Sequence, residues 1–170
     1  MRNPRLFLRA LGIGAFVIFA LMALILQVWI APNVSFLPQA ELAPYSDADL
    51  LALGAELRDQ GLAGLYKFAL LILDPIFIVA FGLWVMLMHV TRGSTVWSLL
   101  GVALAGGFMA LDFSEDLMLA VRLGLSSAGL PDPTQYSAEV SRIHSITLAK
   151  YTVFAACLIS TVIVSRKPRA

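Results

Sequence analysis

The sequence predicts an all-α integral membrane protein with four transmembrane helices in an antiparallel bundle, and composition, run length and spacing all favour it. Hydrophobic residues make up 59% of the 170 residues and charged residues only 14%, and the mean hydropathy is +0.85. Such a chain has too little polar surface to fold as a water-soluble domain. Four apolar runs are each long enough to cross a bilayer, which takes about 20 residues. We therefore expect a single membrane domain over residues 1–170.

Charge and cysteine content exclude several functional classes. The net charge of +1 provides no basic field for nucleic acid. Cys157 is the single cysteine, which rules out an intrachain disulfide and a cysteine-rich metal site. No nucleophilic triad, phosphate-binding glycine loop or haem-type histidine pair occurs, so no cofactor is expected. The expected partners are the lipid bilayer and either a second copy of the chain or another membrane protein.

The first span is expected at residues 8–30, after arginines at positions 2, 5 and 9. Its apolar run from Ala10 to Ile30 is longer than the core of a typical signal peptide, and no A-x-A-like cleavage site follows it. Trp29 lies at the far end, where interfacial aromatic residues are common. Gln27 is its one polar side chain at depth. The pattern predicts a membrane anchor that faces lipid or acts as a scaffold.

An acidic connection follows at residues 31–61. Ser46 is a suitable N-cap, and Asp49 suits a first helical turn. Leucines at positions 50, 53 and 57 follow helical spacing, and Gly61 can end the turn. The pattern predicts a short amphipathic helix at the membrane surface, as a connector or as a lid over a cavity.

The second span is expected at residues 62–90 and contains Asp74 followed by Pro75. A proline inside a helix removes a backbone donor, so a kink is expected beside this acid. Lys67 precedes Asp74 by seven residues, which predicts that the two side chains share a face. The next turn is short and carries Arg92, so the second and third spans are expected to be antiparallel neighbours.

The third span, expected at residues 96–123, begins with small residues and ends with acids. The pairs Ala103 with Gly107 and Gly106 with Ala110 are four residues apart, which predicts close helix packing there. Farther along the span, Asp112, Glu115 and Asp116 are related by i, i+3 and i+4 and project from one helical face. A charged side chain at the centre of a span costs about 2.5–3.5 kcal/mol on insertion scales, so such residues are usually paired or functional.

The fourth span is expected at residues 137–165. The sequence from Asp132 to Gln135 reads as an N-cap, a proline at the first helical position and a capping-box partner. Within the span, His144, Thr147 and Tyr151 form a polar stripe, with Lys150 beside it.

Basic residues predict the orientation of the bundle. They occur at both ends of the chain and in the turn with Arg92, and such residues favour the cytoplasmic side. Both termini are therefore expected in the cytoplasm, with the acidic connection outside, in a bacterial inner membrane. At about 1.5 Å per residue, the intramembrane acids and Lys150 fall at similar heights, in the outer third of the bilayer.

These residues define a candidate binding site that opens outward. Its expected ligand-binding residues are Asp74, Asp112, Glu115, Asp116, His144, Lys150 and Tyr151. Other polar side chains at neighbouring positions are Lys67, Arg122, Arg142 and Thr147. Four acids and four bases would then balance, which also fits a purely structural network of ion pairs between three helices.

Three function classes remain open from the sequence. The first is binding or translocation of a proton, a cation or a small polar ligand at the acids. The second is a membrane enzyme acting on a lipid or isoprenoid, with Glu115 or His144 as general base and Lys150 or Arg142 holding an anionic group. The third is an accessory or protective subunit whose charges are structural.

A metal site is only weakly indicated. Asp112, Asp116 and His144 offer oxygen and imidazole donors that suit several divalent ions. However, no His-x-x-x-His or Glu-x-x-His spacing is present, and the sequence predicts no metal.

Overall fold

Every regular element is a helix in the computed structural model, which describes residues 4–124 and 136–166. The α-helices are α1 (Pro4–Leu24), α2 (Asp47–Asp59), α3 (Ala63–Phe68), α4 (Asp74–Arg92), α5 (Thr95–Arg122) and α6 (Tyr136–Arg166). A π-helical turn, Ile25–Ile30, continues α1, and a second, Ala69–Leu73, joins α3 to α4. Two short 3₁₀ turns, Ala31–Asn33 and Pro38–Ala40, lie in the first connection.

Within the described residues, four continuous helices are long and apolar enough to cross a membrane. They are Leu6–Asn33, Ala63–Arg92, Thr95–Arg122 and Val140–Arg166, and their most apolar 18-residue stretches have mean hydropathies of 2.5, 2.4, 1.7 and 1.8. Helix α4 packs against α1, α5 and α6, and α5 packs against α6. The predicted fold class, a four-helix integral membrane protein, is thus confirmed. The predicted helix cap between positions 132 and 135 lies outside the described residues.

The amphipathic helix predicted in the first connection is α2. Its N-terminus is closed by a capping box, in which the Ser46 backbone N–H donates to Asp49 Oδ2 at 2.7 Å and the Asp49 N–H donates to Ser46 Oγ. The hydrogen bonds that the Ser46 N–H and the Ser46 hydroxyl donate to the Asp49 carboxylate lower its pKa. Leu50, Leu53 and Leu57 are buried on one face, and α2 packs against α3 and α6. The helix therefore folds back onto the bundle.

The predicted distortion beside Pro75 takes the form of the π-helical turn Ala69–Leu73. Pro75 cannot donate the backbone hydrogen bond that an α-helix needs at this position, and a wider turn accommodates the loss. Asp74 follows the turn directly, at the start of α4. The distortion therefore sets the direction in which the Asp74 carboxylate points.

The same turn explains why the predicted alignment of Lys67 with Asp74 is wrong. A π-helical turn holds an extra residue, which shifts the face of the preceding helix by about 100°. Tyr66 consequently points inward and is 0% exposed, whereas Lys67 is exposed. Lys67 does not contribute to the intramembrane charges.

Among the glycines of α5, the closest contact is at Gly101 and not at Gly106 or Gly107, the glycines of the two predicted pairs. Gly101 is buried against the ring of His89, a side chain that is itself 0% exposed. A Cβ at Gly106 would meet nothing within 4 Å, and one at Gly107 would meet its nearest atom at 4.0 Å. This contact joins α4 to α5 next to the turn between them, and a second one joins Gly82 of α4 to Met109 of α5 farther along.

Gly101→Ala is expected to destabilise the fold by about 1–3 kcal/mol, because the added methyl group overlaps the His89 side chain near its rigid Cβ end. Gly106→Ala adds the same methyl group on the same helix where space is open, and serves as the matched control. Thermal unfolding in detergent compares the two variants with the parent protein. Equal melting temperatures for the two variants would contradict this packing.

Candidate ligand-binding site

Four carboxylates of the described residues are buried inside the bundle. Asp112, Glu115 and Asp116 lie on the inward face of α5, as their spacing predicts, and are 2%, 0% and 3% exposed. Asp74 faces them from the start of α4 and is 5% exposed. Asp112 and Asp116 lie ten and six residues from the end of their span, a rise of about 15 and 9 Å. The charges therefore lie within the membrane-spanning helices.

Lys150 of α6 supplies the positive charge that contacts these acids. Its Nζ lies 2.7 Å from Asp112 Oδ1 and also contacts Glu115 Oε2. Thr147, one turn earlier on α6, donates its hydroxyl hydrogen to Glu115 Oε1. Asp112 and Glu115 are thus held by α6, and this ion-paired part of the cluster joins α5 to α6.

The remaining acids are arranged differently. Asp74, Asp112 and Asp116 each place a carboxylate oxygen within 4.8 Å of the other two. Neither oxygen of Asp116 has a hydrogen-bond partner among the residues that the structure describes. We call Asp74, Asp112 and Asp116 the carboxylate triad. It brings three negative charges together in apolar surroundings, while the Lys150 ammonium is shared between Asp112 and Glu115.

The triad has the donor chemistry of a cation site. Carboxylate oxygens are the ligands preferred by hard cations. Of the three residues predicted as metal candidates, Asp112 and Asp116 are in the triad and Asp74 takes the place of His144. His144 instead packs edge-to-face against Tyr45, with ring centroids 5.7 Å apart.

The other predicted site residues are spread over the rim and the surface. The buried stripe of α6 runs through Ile143, Thr147, Lys150 and Cys157. Arg142 lies off this stripe and is exposed, so it cannot balance the acids. His144 is half-buried at the edge of the stripe, Tyr151 is 40% exposed, and Arg122 is buried at the end of α5. The four bases that were predicted to balance the four acids therefore do not all lie beside them.

A segment of the first connection covers the cluster. The lid predicted as an alternative was the helix of this connection, and the covering residues precede that helix. The Tyr66 hydroxyl donates to Gln39 Oε1 at 2.8 Å, and the Tyr151 hydroxyl donates to the Gln39 carbonyl. Tyr45 also packs against Phe36 in a tilted arrangement, with ring centroids 5.5 Å apart, in addition to its contact with His144. These contacts tie the connection to the second and fourth spans.

Burial raises the pKa of Tyr45 to about 12, and the negative charge of Glu115 adds to this effect. Because the unfolded value is about 10, the neutral hydroxyl favours the folded state fully below pH 10. This contribution is lost as the pH rises through about 12. Subtracting the tyrosinate absorbance of Tyr45→Phe from that of the parent protein isolates the signal of Tyr45. We expect this difference to titrate near pH 12. A difference that titrates near 10 would show that Tyr45 is in free solvent.

A cavity of about 230 Å³ adjoins the cluster. Asp74, Asp112 and Lys150 form its charged end, together with Gln39 and Tyr151. Its other walls come from the apolar residues Phe19, Met22, Ala23, Leu26, Leu37, Ala40, Phe77, Phe108 and Phe154, and from Gln27, the polar residue noted in the first span. The first span, expected only to face lipid or act as a scaffold, thus supplies one side of the cavity.

Cluster and cavity together form one amphipathic site. The two residues predicted as general bases, Glu115 and His144, are not among the described residues that line the cavity. No protein-family model, no curated protein and no solved structure matches this chain.

Proposed function

We propose that this integral membrane protein binds a proton or a small cation at the carboxylate triad. The observation that carries the proposal is Asp116, which is 3% exposed and has no hydrogen-bond partner for either oxygen in the described parts of the chain. An isolated buried carboxylate is too costly to remain charged. A bound proton or cation removes that cost.

The local charges support a positively charged ligand. Among the described residues, four buried carboxylates face the ammonium of Lys150, which already contacts Asp112 and Glu115. Asp74 and Asp116 carry the remaining negative charge, with oxygens close enough to share one ligand. In this proposal Lys150 is a fixed counter-charge and the triad is the binding site.

The direction of access is part of the same proposal. The acidic first connection is placed on the outer side, and the basic termini in the cytoplasm, by the positive-inside rule. The site then opens outward, in the inner membrane of a bacterium. Because four helices are few for a translocation path, translocation would take place in a homodimer or beside a partner membrane protein.

Thermal stability measured against ligand concentration tests the proposal. A ligand that binds the folded state raises its melting temperature by mass action. For the purified protein in detergent, the melting temperature is expected to rise with Na⁺, K⁺, Mg²⁺ or Ca²⁺ at constant ionic strength, or with proton concentration. Asp116→Asn should remove the response, while Asp59→Asn, at an exposed acid of α2, should retain it.

Two outcomes would overturn the proposal. One is a melting temperature that responds to none of these cations and to no change in pH. The other is a response that persists in Asp116→Asn, because the triad would then not be its source. Unfolding of Asp116→Asn in every condition would instead favour the accessory class, in which the charges only hold the fold.

A further inference from the structure

The cavity beside the triad combines two features that rarely occur together. Its charged end is formed by Asp74 and Asp112, which are both at least 95% buried. Away from this end, the lining residues are apolar except Gln27, and four of them are phenylalanines. The rings that line the cavity are those of Phe19, Phe77, Phe108 and Phe154, with Tyr151 at the charged end. Carboxylates at one end and largely apolar walls that include aromatic rings are complementary to an apolar molecule that carries a positive charge.

The aromatic rings form a connected set. Phe77 lies 5.3 Å from Phe19 and 6.2 Å from Phe108, between ring centroids, and Phe108 lies 5.6 Å from Phe154. The faces of such rings carry partial negative charge and attract cations within about 6 Å of the centroid. Lys150 already lies in this way over the Tyr151 ring, at 5.8 Å. The walls of the cavity therefore favour positive charge as well as apolar surface.

Lys150 does not reverse this preference. Its ammonium also lines the cavity, but it contacts Asp112 and Glu115 and is neutralised by them. Asp74 lies on the cavity wall with Asp116 behind it, and Asp116 has no hydrogen-bond partner in the described segments. An anionic head group would meet this negative pair, and a neutral one would leave its charge uncompensated. A cationic group is attracted by this negative pair and also compensates its charge.

We infer that the cavity binds a small lipophilic organic cation, such as an aromatic quaternary ammonium, with its charge at Asp74 and its apolar part among the phenylalanines. The inference rests on the proposed function, because it names the ligand class for the same triad. The volume of about 230 Å³ lies below the range of about 300–1,000 Å³ that holds drug-sized molecules, so the ligand is small.

A charged compound and its neutral isostere test the inference. Benzyltrimethylammonium and neopentylbenzene have the same shape, because a carbon atom replaces the nitrogen. With the protein in lipid nanodiscs, benzyltrimethylammonium should raise the melting temperature with a saturable dependence on concentration, and neopentylbenzene should not. Asp74→Asn should weaken binding about tenfold or more. Phe108→Leu, which keeps an apolar wall but removes an aromatic face, should weaken it several-fold, and Asp59→Asn should leave it unchanged.

The possible failures are distinguishable from failure of the proposed function. Equal stabilisation by the two compounds would show an apolar cavity without charge selection and overturn the inference. Absence of any effect of benzyltrimethylammonium would also overturn it. If Asp116 still determined a response to inorganic cations or protons in that case, the proposed function would stand without an organic ligand. If Asp74→Asn fails to fold, benzyltrimethylammonium binding by the parent and by Phe108→Leu still decides the matter.

Discussion

Lys150→Met is expected to lower the free energy of unfolding by about 3–5 kcal/mol, as the loss of one partner from a buried charge pair usually does. Lys150 is 7% exposed and contacts both Asp112 and Glu115. Methionine fills a similar volume, so the main change is the loss of the ammonium. Four buried carboxylates would then remain without the lysine that offsets them. Reversible unfolding in mixed detergent micelles measures the difference.

Lys67→Met is the matched control for this prediction. It makes the same chemical change in the same span as Asp74, but at an exposed position on α3. Its stability is expected to stay within about 0.5 kcal/mol of the parent protein. If Lys150→Met were as stable as Lys67→Met, the ion pairs between α5 and α6 would not hold the bundle together. Adding Glu115→Gln to Lys150→Met should recover part of the loss, because it removes one of the orphaned charges.

Asp116→Asn is expected to leave the protein at least as stable as the parent in the absence of ligand. No hydrogen bond from an amide, ammonium or hydroxyl donor of a described residue is lost, because the polar neighbours of Asp116 are the carboxyls of Asp74 and Asp112, and the change removes one of three adjacent negative charges. Its effect on function should be large, with ligand affinity reduced about tenfold or more, because the affected oxygens belong to the proposed site. Residues that lower the stability of a fold are typical of functional sites, because function requires them.

Glu115→Gln is the informative comparison, because it removes the neighbouring charge on the same face of α5. Glu115 contacts Lys150 and accepts a hydrogen bond from Thr147. This variant is expected to lose about 1–3 kcal/mol of stability. Thermal unfolding of the two variants side by side separates the two roles. Greater loss of stability in Asp116→Asn than in Glu115→Gln would contradict the assignment of Asp116 to the binding site.

The parts of the protein that follow from simple periodicity were predictable. The four spans are set by apolar run length, and the N-terminus of α2 by the capping residues Ser46 and Asp49. The shared face of the α5 acids follows from 3.6 residues per turn, and all three are buried as expected. In each case the decisive interaction lies within a few residues along the chain, so the sequence alone contains it.

The parts that were missed depend on irregular geometry or on distant contacts. The π-helical turn before Asp74 places Lys67 on a different helical face from the one predicted. Regular helical spacing does not indicate where such a turn, with its extra residue, occurs. The contact of Tyr66 with Gln39 joins residues 27 positions apart. The contact of Tyr151 with Gln39 joins residues 112 positions apart. Packing, and not local pattern, brings the first connection and the first span to the site.

The infrared spectrum of the carboxyl groups tests the central claim, that a proton or a cation occupies the carboxylate triad, most directly. Protonated, cation-bound and free carboxylates absorb at different frequencies, and the difference between the parent and Asp116→Asn isolates the group concerned. We expect this difference to show either a protonated carboxyl or a carboxylate band that shifts when cations are removed by dialysis. A difference that shows only a free carboxylate, unchanged by dialysis, would contradict the claim.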